Sequence, residues 1–314
     1  MDLERKKVFI VYCGGARLPE SSQKGLNNWL KGLLELSMMA DVTGKYIYDG
    51  TGSGVDANVW KEIIKTIKTE YNKYDGFVVT HGLDNILITA NTLSYLIQDS
   101  GKPIIFTGSP LIEAKVKAKQ PIKKIFKQYQ TLGIKANLIN AVQVATIDIS
   151  RTSLMFGNRL INPTRAIQTF DSNLNIFSSW QTQDLAKIQF GIQTTSSAFK
   201  RSKDKPNIQE NFPENIKIID ASVGNPEKVE LTGNEEGVFI RSSHENPEDI
   251  IKQIKTDLPI LVLSQGHIDE KEKIISAQGY TYESALGKFI WALAKTKDIK
   301  EIRKIFKKNY IGEI

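Results

Sequence analysis

Cysteine is almost missing from this chain, with Cys13 standing alone among 314 residues. A lone cysteine excludes an intramolecular disulfide, so the fold must rest on its core, for which 40% hydrophobic content is ample. Histidine is nearly as scarce. His81, His244 and His267 have no ligand-like spacing with one another or with Cys13, so no metal centre is expected. Long apolar runs are absent too, none approaching the roughly 20 residues that span a bilayer, and a soluble protein with no membrane partner is expected. The opening residues, Met-Asp-Leu-Glu-Arg-Lys-Lys, lack the apolar stretch of a secretory signal, which together with the lone cysteine points to a reducing, cytoplasmic location. A net charge of +7 raises nucleic acid as a partner. The lysines are spread along the chain without an aromatic-interleaved basic motif, however, and no nucleic acid is expected. The densest basic stretch, Lys115 to Lys127, reads as a solvated helix face or loop, with an acidic partner as the other reading. There is no internal repeat.

What is present is an alternation of apolar runs with amphipathic stretches, the pattern of a parallel sheet covered by helices. Val8 to Tyr12 reads as a first strand, Gly25 to Ala40 as one helix, Lys45 to Tyr48 as a strand, Asn58 to Tyr71 as a helix and Gly76 to Thr80 as a strand. Asn85 is placed to cap a helix reaching about Asp99, and Lys102-Pro103 leads into the strand of "IIFTGSP". Three strands end in glycine-containing turns, Cys13-Gly14-Gly15, His81-Gly82 and Thr107-Gly108-Ser109. In an open α/β sheet such carboxyl ends converge on one crevice, where ligands bind. The polar, aperiodic stretch from Thr194 to Asn215 reads as a linker between a domain of residues 1–193 and a smaller one of residues 216–314. In the latter, Ile216 to Asp220, Gly237 to Ile240 and Pro259 to Gly266 read as strands, and Pro247 to Thr256, Tyr282 to Lys295 and Lys300 to Tyr310 as helices.

The combination of "VYCGGA", "YDGFVVTHGLDNILITANTLSYLI", "KPIIFTGSP", "NLINAVQVA" and "YTYESALGKFIWALA" resembles the bacterial-type asparaginases and related glutaminases, especially their cytoplasmic branch. The resemblance covers nearly the whole chain in the right order. It implies an α/β protein with a larger N-terminal flavodoxin-like domain, its sheet mostly parallel, and a smaller C-terminal α/β domain. It also implies an active site between the domains, commonly completed by a neighbouring subunit in a homodimer or homotetramer. These enzymes hydrolyse a side-chain amide in two steps without a cofactor. A Thr attacks the amide carbon and a second Thr, coupled to a Lys and an Asp, assists proton transfer, since an alcohol is a poor nucleophile until a neighbour takes its proton.

Position by position, the sequence departs from that machinery. The nucleophilic Thr falls on Cys13 and the next Thr on Ala16, while Gly14 and Gly15 are kept. In the second motif His81, Gly82 and Asp84 are kept, but the relay Thr is Leu83, which cannot carry a proton. The family's Lys falls on Asn162; Arg165, three residues on, offers charge but makes a poor base. The loop for the substrate carboxylate offers Thr51 and Ser53 in a glycine-rich setting whose backbone amides can bind a carboxylate. By the resemblance Asp84 holds a substrate amino group, with helix capping as its other reading, and His81 supports the loop.

Two readings of Cys13 stay open, a space-filling buried thiol and a nucleophile whose pKa is lowered at the strand end. In the second, His81 and Tyr12 are the candidate proton donors. Two functions follow, an amidohydrolase with altered residues acting through Cys13 and Asp84 on an amino-acid-like amide, or a catalytically silent homologue that binds a small amino-acid-like ligand or a protein partner. In both, Gly14, Thr51, Ser53, Gly82 and Asp84 form the ligand site. The amidase component of a tRNA-dependent amidotransferase ranks below these, because it wants an intact Thr-Thr-Lys-Asp set and an N-terminal barrel.

Overall fold

The computed structural model describes residues 5–50, 52–109, 120–169, 175–221, 229–243 and 248–314. The chain opens with β1 (Lys7–Cys13), buried from Val8 onward, as an apolar strand covered on both faces must be. There follow α1 (Gln23–Lys31), α2 (Leu34–Met39), β2 (Asp41–Tyr48), α3 (Ala57–Glu70), β3 (Gly76–His81), α4 (Ile86–Leu96) and the short β4 (Ile97–Gln98). Next come β5 (Pro103–Thr107), α5 (Gln120–Thr146), β6 (Arg151–Phe156), β7 (Arg159–Ile161), β8 (Ala166–Gln168), β9 (Phe177–Ser179), β10 (Ala186–Ile188), β11 (Ile192–Thr194) and β12 (Asn207–Ile208). The last part holds β13 (Ile216–Ala221), β14 (Gly237–Ser242), α6 (Glu248–Gln253), β15 (Ile260–Leu263), β16 (Ile274–Ser276), α7 (Tyr282–Lys295) and α8 (Ile299–Phe306).

The main sheet has the order β11-β10-β7-β6-β5-β3-β1-β2. From β2 to β6 the neighbours run parallel, and β7, β10 and β11 extend the sheet antiparallel. A second sheet, β13-β14-β15-β16, is parallel throughout. The α/β class expected from the sequence, a larger and mostly parallel N-terminal sheet followed by a smaller α/β unit, is what the chain adopts. Side chains alternate across β1. Val8 and Ile10 join the cluster of Leu36 from α2 and Leu138 and Val142 from α5, while Phe9, Val11 and Cys13 join Ile63, Ile67, Ile86 and Leu93 from α3 and α4. The second of these clusters runs on through Phe239, Leu261 and Phe289, so the two sheets share one continuous core.

Local differences from the sequence expectation have identifiable causes. The expected single helix over Gly25 to Ala40 is broken in two, because Gly32 caps α1 and Leu33 leaves helical geometry at φ −99°, ψ 77°. That turn buries Leu33 and Leu36 against the sheet. Asn85 holds the cap position of α4, yet its side chain accepts no capping bond; its Nδ2 instead reaches the Gly52 carbonyl at 3.4 Å. The α4 helix stops at Leu96, and Ile97–Gln98 pair with Asn207–Ile208.

The stretch Thr194 to Asn215 lies along the first unit: Arg201 donates to the carbonyls of Ala145 and Ile147 at 2.6 Å each, and Phe212 is buried beside Trp60. Of the basic stretch, Lys115 to Lys119 lie outside the described residues, and beyond them only the backbone, in α5, is described. Among the described residues, no helix is long and apolar enough to cross a membrane.

Candidate functional site

β1, β2, β3 and β5 lie side by side and parallel, so their carboxyl ends share one side of the sheet. Their loops meet backbone to backbone. Gly14 and Gly15 have φ of +83° and +73°, and a Cβ on either would lie 2.3 Å from the Gly50 carbonyl oxygen or 2.1 Å from that of His81. Only glycine supplies that conformation at no steric cost and admits such an approach. The Ser109 N–H donates to the Gly15 carbonyl at 2.8 Å, joining the loop after β5 to the loop after β1. Asn137 fixes the far side, donating to the Gly108 carbonyl at 2.9 Å and accepting from the Gly157 N–H at 2.9 Å. Gly52 lies against the backbone of Gly82, which brings the Ser53 loop beside the turn carrying Asp84. Both Ser53 and Asp84 are exposed. The structure thus brings the loops carrying Gly14, Gly82, Ser53 and Asp84 together at the carboxyl end of the sheet; Thr51 and His244 lie outside the described residues. Asp84 is the middle residue of a short turn, Leu83–Asn85, whose cap position is Gly82, and Asn85 holds the cap position of α4, so Asp84 occupies neither.

Cys13 is placed otherwise than the nucleophile reading requires. It pairs in register with His81 of β3, but its side chain is fully buried on the Phe9 and Val11 face of the sheet, within the core. Burial pushes its thiol pKa up rather than down, because desolvation disfavours the thiolate and nothing charged offsets it. His81 is also fully buried. Its Nδ1 is 2.6 Å from the Gly82 carbonyl, the donor of that bond, and desolvation lowers its pKa to about 4. A neutral histidine bonded in this way ties its ring to the loop backbone. Tyr12 is no free proton donor either, since its hydroxyl donates to Asp49 at 3.0 Å and lies 2.5 Å from the Ala16 carbonyl. Burial, reinforced by Asp49, raises its pKa and keeps that proton in place.

The remaining positions of the family's relay are also committed. Leu83 is half-buried against the core. Asn162 Nδ2 donates to the carbonyls of Ile311 at 2.9 Å and Gly312 at 3.2 Å, and its Oδ1 accepts from Thr164. Arg165, read from the sequence as a source of charge, is buried with its guanidinium over the Trp180 ring at 4.7 Å, donating to the carbonyls of Trp180, Gly279 and Glu313. A cleft of about 620 Å³ opens elsewhere, between Arg165 and Gln181 and the second unit's His267, Gln278 and Lys307; no residue of the glycine crevice lines it. Among the described residues, no three His, Cys, Asp or Glu side chains are gathered to hold a metal ion.

Sequence reasoning missed Asp49, whose carboxylate also accepts from the Ser21 hydroxyl. The signal was a tyrosine in a buried strand, which needs a partner for its hydroxyl.

Residues 7–121 match the family model for the asparaginase N-terminal domain. L-asparaginase 1 of Escherichia coli K12 is 29% identical over 189 residues, covering 56% of this chain and 52% of that protein, so the match spans about half the length of this curated relative. A glutamyl-tRNA(Gln) amidotransferase component from Methanosphaera stadtmanae is 26% identical, covering 91% of this chain and 69% of that protein. Among solved structures, L-asparaginase I from Vibrio cholerae superposes with a TM-score of 0.75 at 23% identity, covering 99% of both chains. The thermostable L-asparaginase from Thermococcus kodakarensis gives 0.74 at 20% identity, covering 98% of this chain and 99% of that one. Over residues 7–121 this chain is thus similar to the asparaginase N-terminal domain, and over nearly its whole length it shares the fold of solved asparaginases.

Proposed function

We propose that this protein uses its glycine crevice to bind a small amino-acid-like ligand and hydrolyses free asparagine and glutamine little or not at all. One observation carries the reading: the side chain standing where the family places its nucleophile, Cys13, is buried in the core with its thiol pKa raised. Leu83 and Asn162 support it, the first unable to move a proton and the second bonded to the chain's last residues. What is retained suits a zwitterion. Asp84 offers a carboxylate to an ammonium, and the backbone of the glycine turns offers N–H donors to a carboxylate. A cytoplasmic location and assembly of identical copies go with this reading, as the resemblance implies. The other reading, an amidohydrolase with altered residues, keeps the same crevice but requires Cys13 to turn out of the core and lose its proton.

Purified protein should release no ammonia from L-asparagine or L-glutamine at the roughly 1–10³ per second typical of enzymes. Amino acids, their amides and short Asn- or Asp-containing peptides should be screened by thermal shift. A ligand at 100 times its Kd adds about 2.7 kcal/mol to the native state. Asp84→Ala should abolish the shift and Cys13→Ser should leave it nearly unchanged. An Asp84→Ala protein stabilised as strongly as the wild type would place the ligand elsewhere. An acyl group trapped on Cys13 during incubation with an amide would establish the hydrolase instead.

A further inference from the structure

The loops after β1 and β2 are joined by one carboxylate. Asp49 Oδ1 accepts from the Tyr12 hydroxyl at 3.0 Å, and Oδ2 accepts from the hydroxyl of Ser21. The Tyr12 hydroxyl also reaches the Ala16 carbonyl, so this chain of bonds touches the β1 loop at both its beginning and its end. Its inner half is packed into the fold. The Tyr12 ring is fully buried and stacked on Tyr46 at 5.5 Å. Ser21, at its outer end, is exposed.

Two further contacts hold the same segment. Ser22 caps α1 by accepting from the Gly25 N–H at 3.1 Å. Gln23 completes the outer edge of β2 as another strand would, accepting from the Tyr46 N–H at 2.8 Å and donating to the Gly44 carbonyl at 3.0 Å. Gly14 and Gly15 run between Tyr12 and Ala16, and their backbones lie against Gly50 and His81.

We propose that Asp49 is a positioning residue for the crevice: its carboxylate clasps the loop of residues 14–22 to the sheet and to the loop after β2, so that the glycine turn presents its N–H groups in a fixed array to a ligand carboxylate. The functional half of this inference rests on the ligand-binding reading above. Pre-organisation of that kind removes an ordering cost that a loose loop would pay at each binding event.

The test uses the full chain, Asp49→Asn, Tyr12→Phe and their double variant, with Ser21→Ala as an exposed change that leaves the buried bonds intact. Amide exchange of the ligand-free proteins should accelerate about tenfold over residues 14–23 in the single variants, the loss of a hydrogen bond to a charged group, with β3 and α7 unchanged. The double variant should exchange no faster than the faster single one, because both changes remove the same bond, and Ser21→Ala should move the same segment less. L-aspartate and L-asparagine, titrated calorimetrically, should bind Asp49→Asn about tenfold more weakly than wild type. Unchanged exchange over residues 14–23 overturns the clasp. Faster exchange with unaltered affinity for the probes reduces Asp49 to a stabilising contact and overturns its positioning role. A wild type that binds neither probe overturns the ligand-binding reading and with it the positioning role, an outcome separate from either failure of Asp49 alone.

Discussion

Cys13 and His81 sit side by side in the β1–β3 register, and burial acts on the two in opposite senses. It raises the thiol pKa and lowers that of the imidazole, so both are neutral near pH 7 and form no ion pair. For His81 the consequence is measurable. Its pKa falls from 6.5 to about 4 on folding, so between those values the unfolded chain binds a proton that the native protein refuses. Native stability is therefore full above about pH 6.5 and declines as the pH drops toward 4, by up to about 3 kcal/mol at roughly 1.4 kcal/mol per unit. Asp75, whose burial is outweighed by its bonds to Lys7 and Lys6 so that its pKa lies below 3.8, loses its contribution only at lower pH. Glu283, pushed above 4.5 by burial, opposes the slope in this window and does so equally in both proteins compared below. Urea titrations from pH 4 to 7 should show the slope in wild type and a flatter one in His81→Gln. Equal slopes in the two proteins would mean that the imidazole is protonated without unfolding.

At the scale of elements, the contrast between α7 and α1 shows what helical patterning can and cannot reveal. The bounds of α7 coincide with the periodic stretch because a capping residue, Thr281, stands at its start and accepts from the Ser284 N–H. The pattern of α1 continues through Gly32, and only the burial of Leu33 and Leu36 shows that the chain turns there. Packing of α7 on α4 is close enough to depend on one missing methyl group. A Cβ at Gly287 would lie 2.9 Å from the Thr92 nitrogen and 3.0 Å from the Asn91 carbonyl carbon, both backbone atoms of α4. Gly287→Ala gains about 1 kcal/mol in helix propensity, but overpacking against a backbone costs about 1–3 kcal/mol. A net loss of stability in chemical denaturation is expected. A more stable Gly287→Ala protein would show that the two helices separate at little cost.

Across the whole molecule, the last residues bind the two units together. Asn162 and Arg165, from the first unit, donate to the carbonyls of Ile311, Gly312 and Glu313. From the second unit, Lys288 meets the Glu313 carboxylate at 2.6 Å with both side chains fully buried. Lys288 also donates to Tyr280 at 2.8 Å and to the Lys308 carbonyl at 2.6 Å, while Glu313 accepts from the N–H groups of Tyr310 and Ile311. Desolvation pulls the Lys288 pKa down, opposed by Glu313. Such a pair contributes little relative to an apolar substitute of the same shape, but removing one member strands the other. Lys288→Met should therefore cost about 3–5 kcal/mol. Adding Glu313→Gln should recover part of the loss, so the double variant is more stable than the sum of the singles implies. Strictly additive losses in denaturant titrations would show that the two groups are not coupled in the native state.

The sequence by itself determined the α/β class, the glycine-containing turns that end three strands, and the side-chain chemistry present at positions 13, 83 and 162. These follow from local rules, since strand and helix periodicity, capping and glycine turns are written within a few residues of one another. Only the tertiary structure decided which way Cys13 faces and in which direction its pKa moves, because desolvation is set by helices that come from elsewhere in the chain. Asp49 was silent for the same reason, its partners Tyr12 and Ser21 being 37 and 28 residues away. Asn162, which reads in the sequence as the place of a lost base, was explained only by a tail 149 residues distant. A hydrogen-bond partner across such a gap is chosen by the packing of the whole chain, and no local pattern records it.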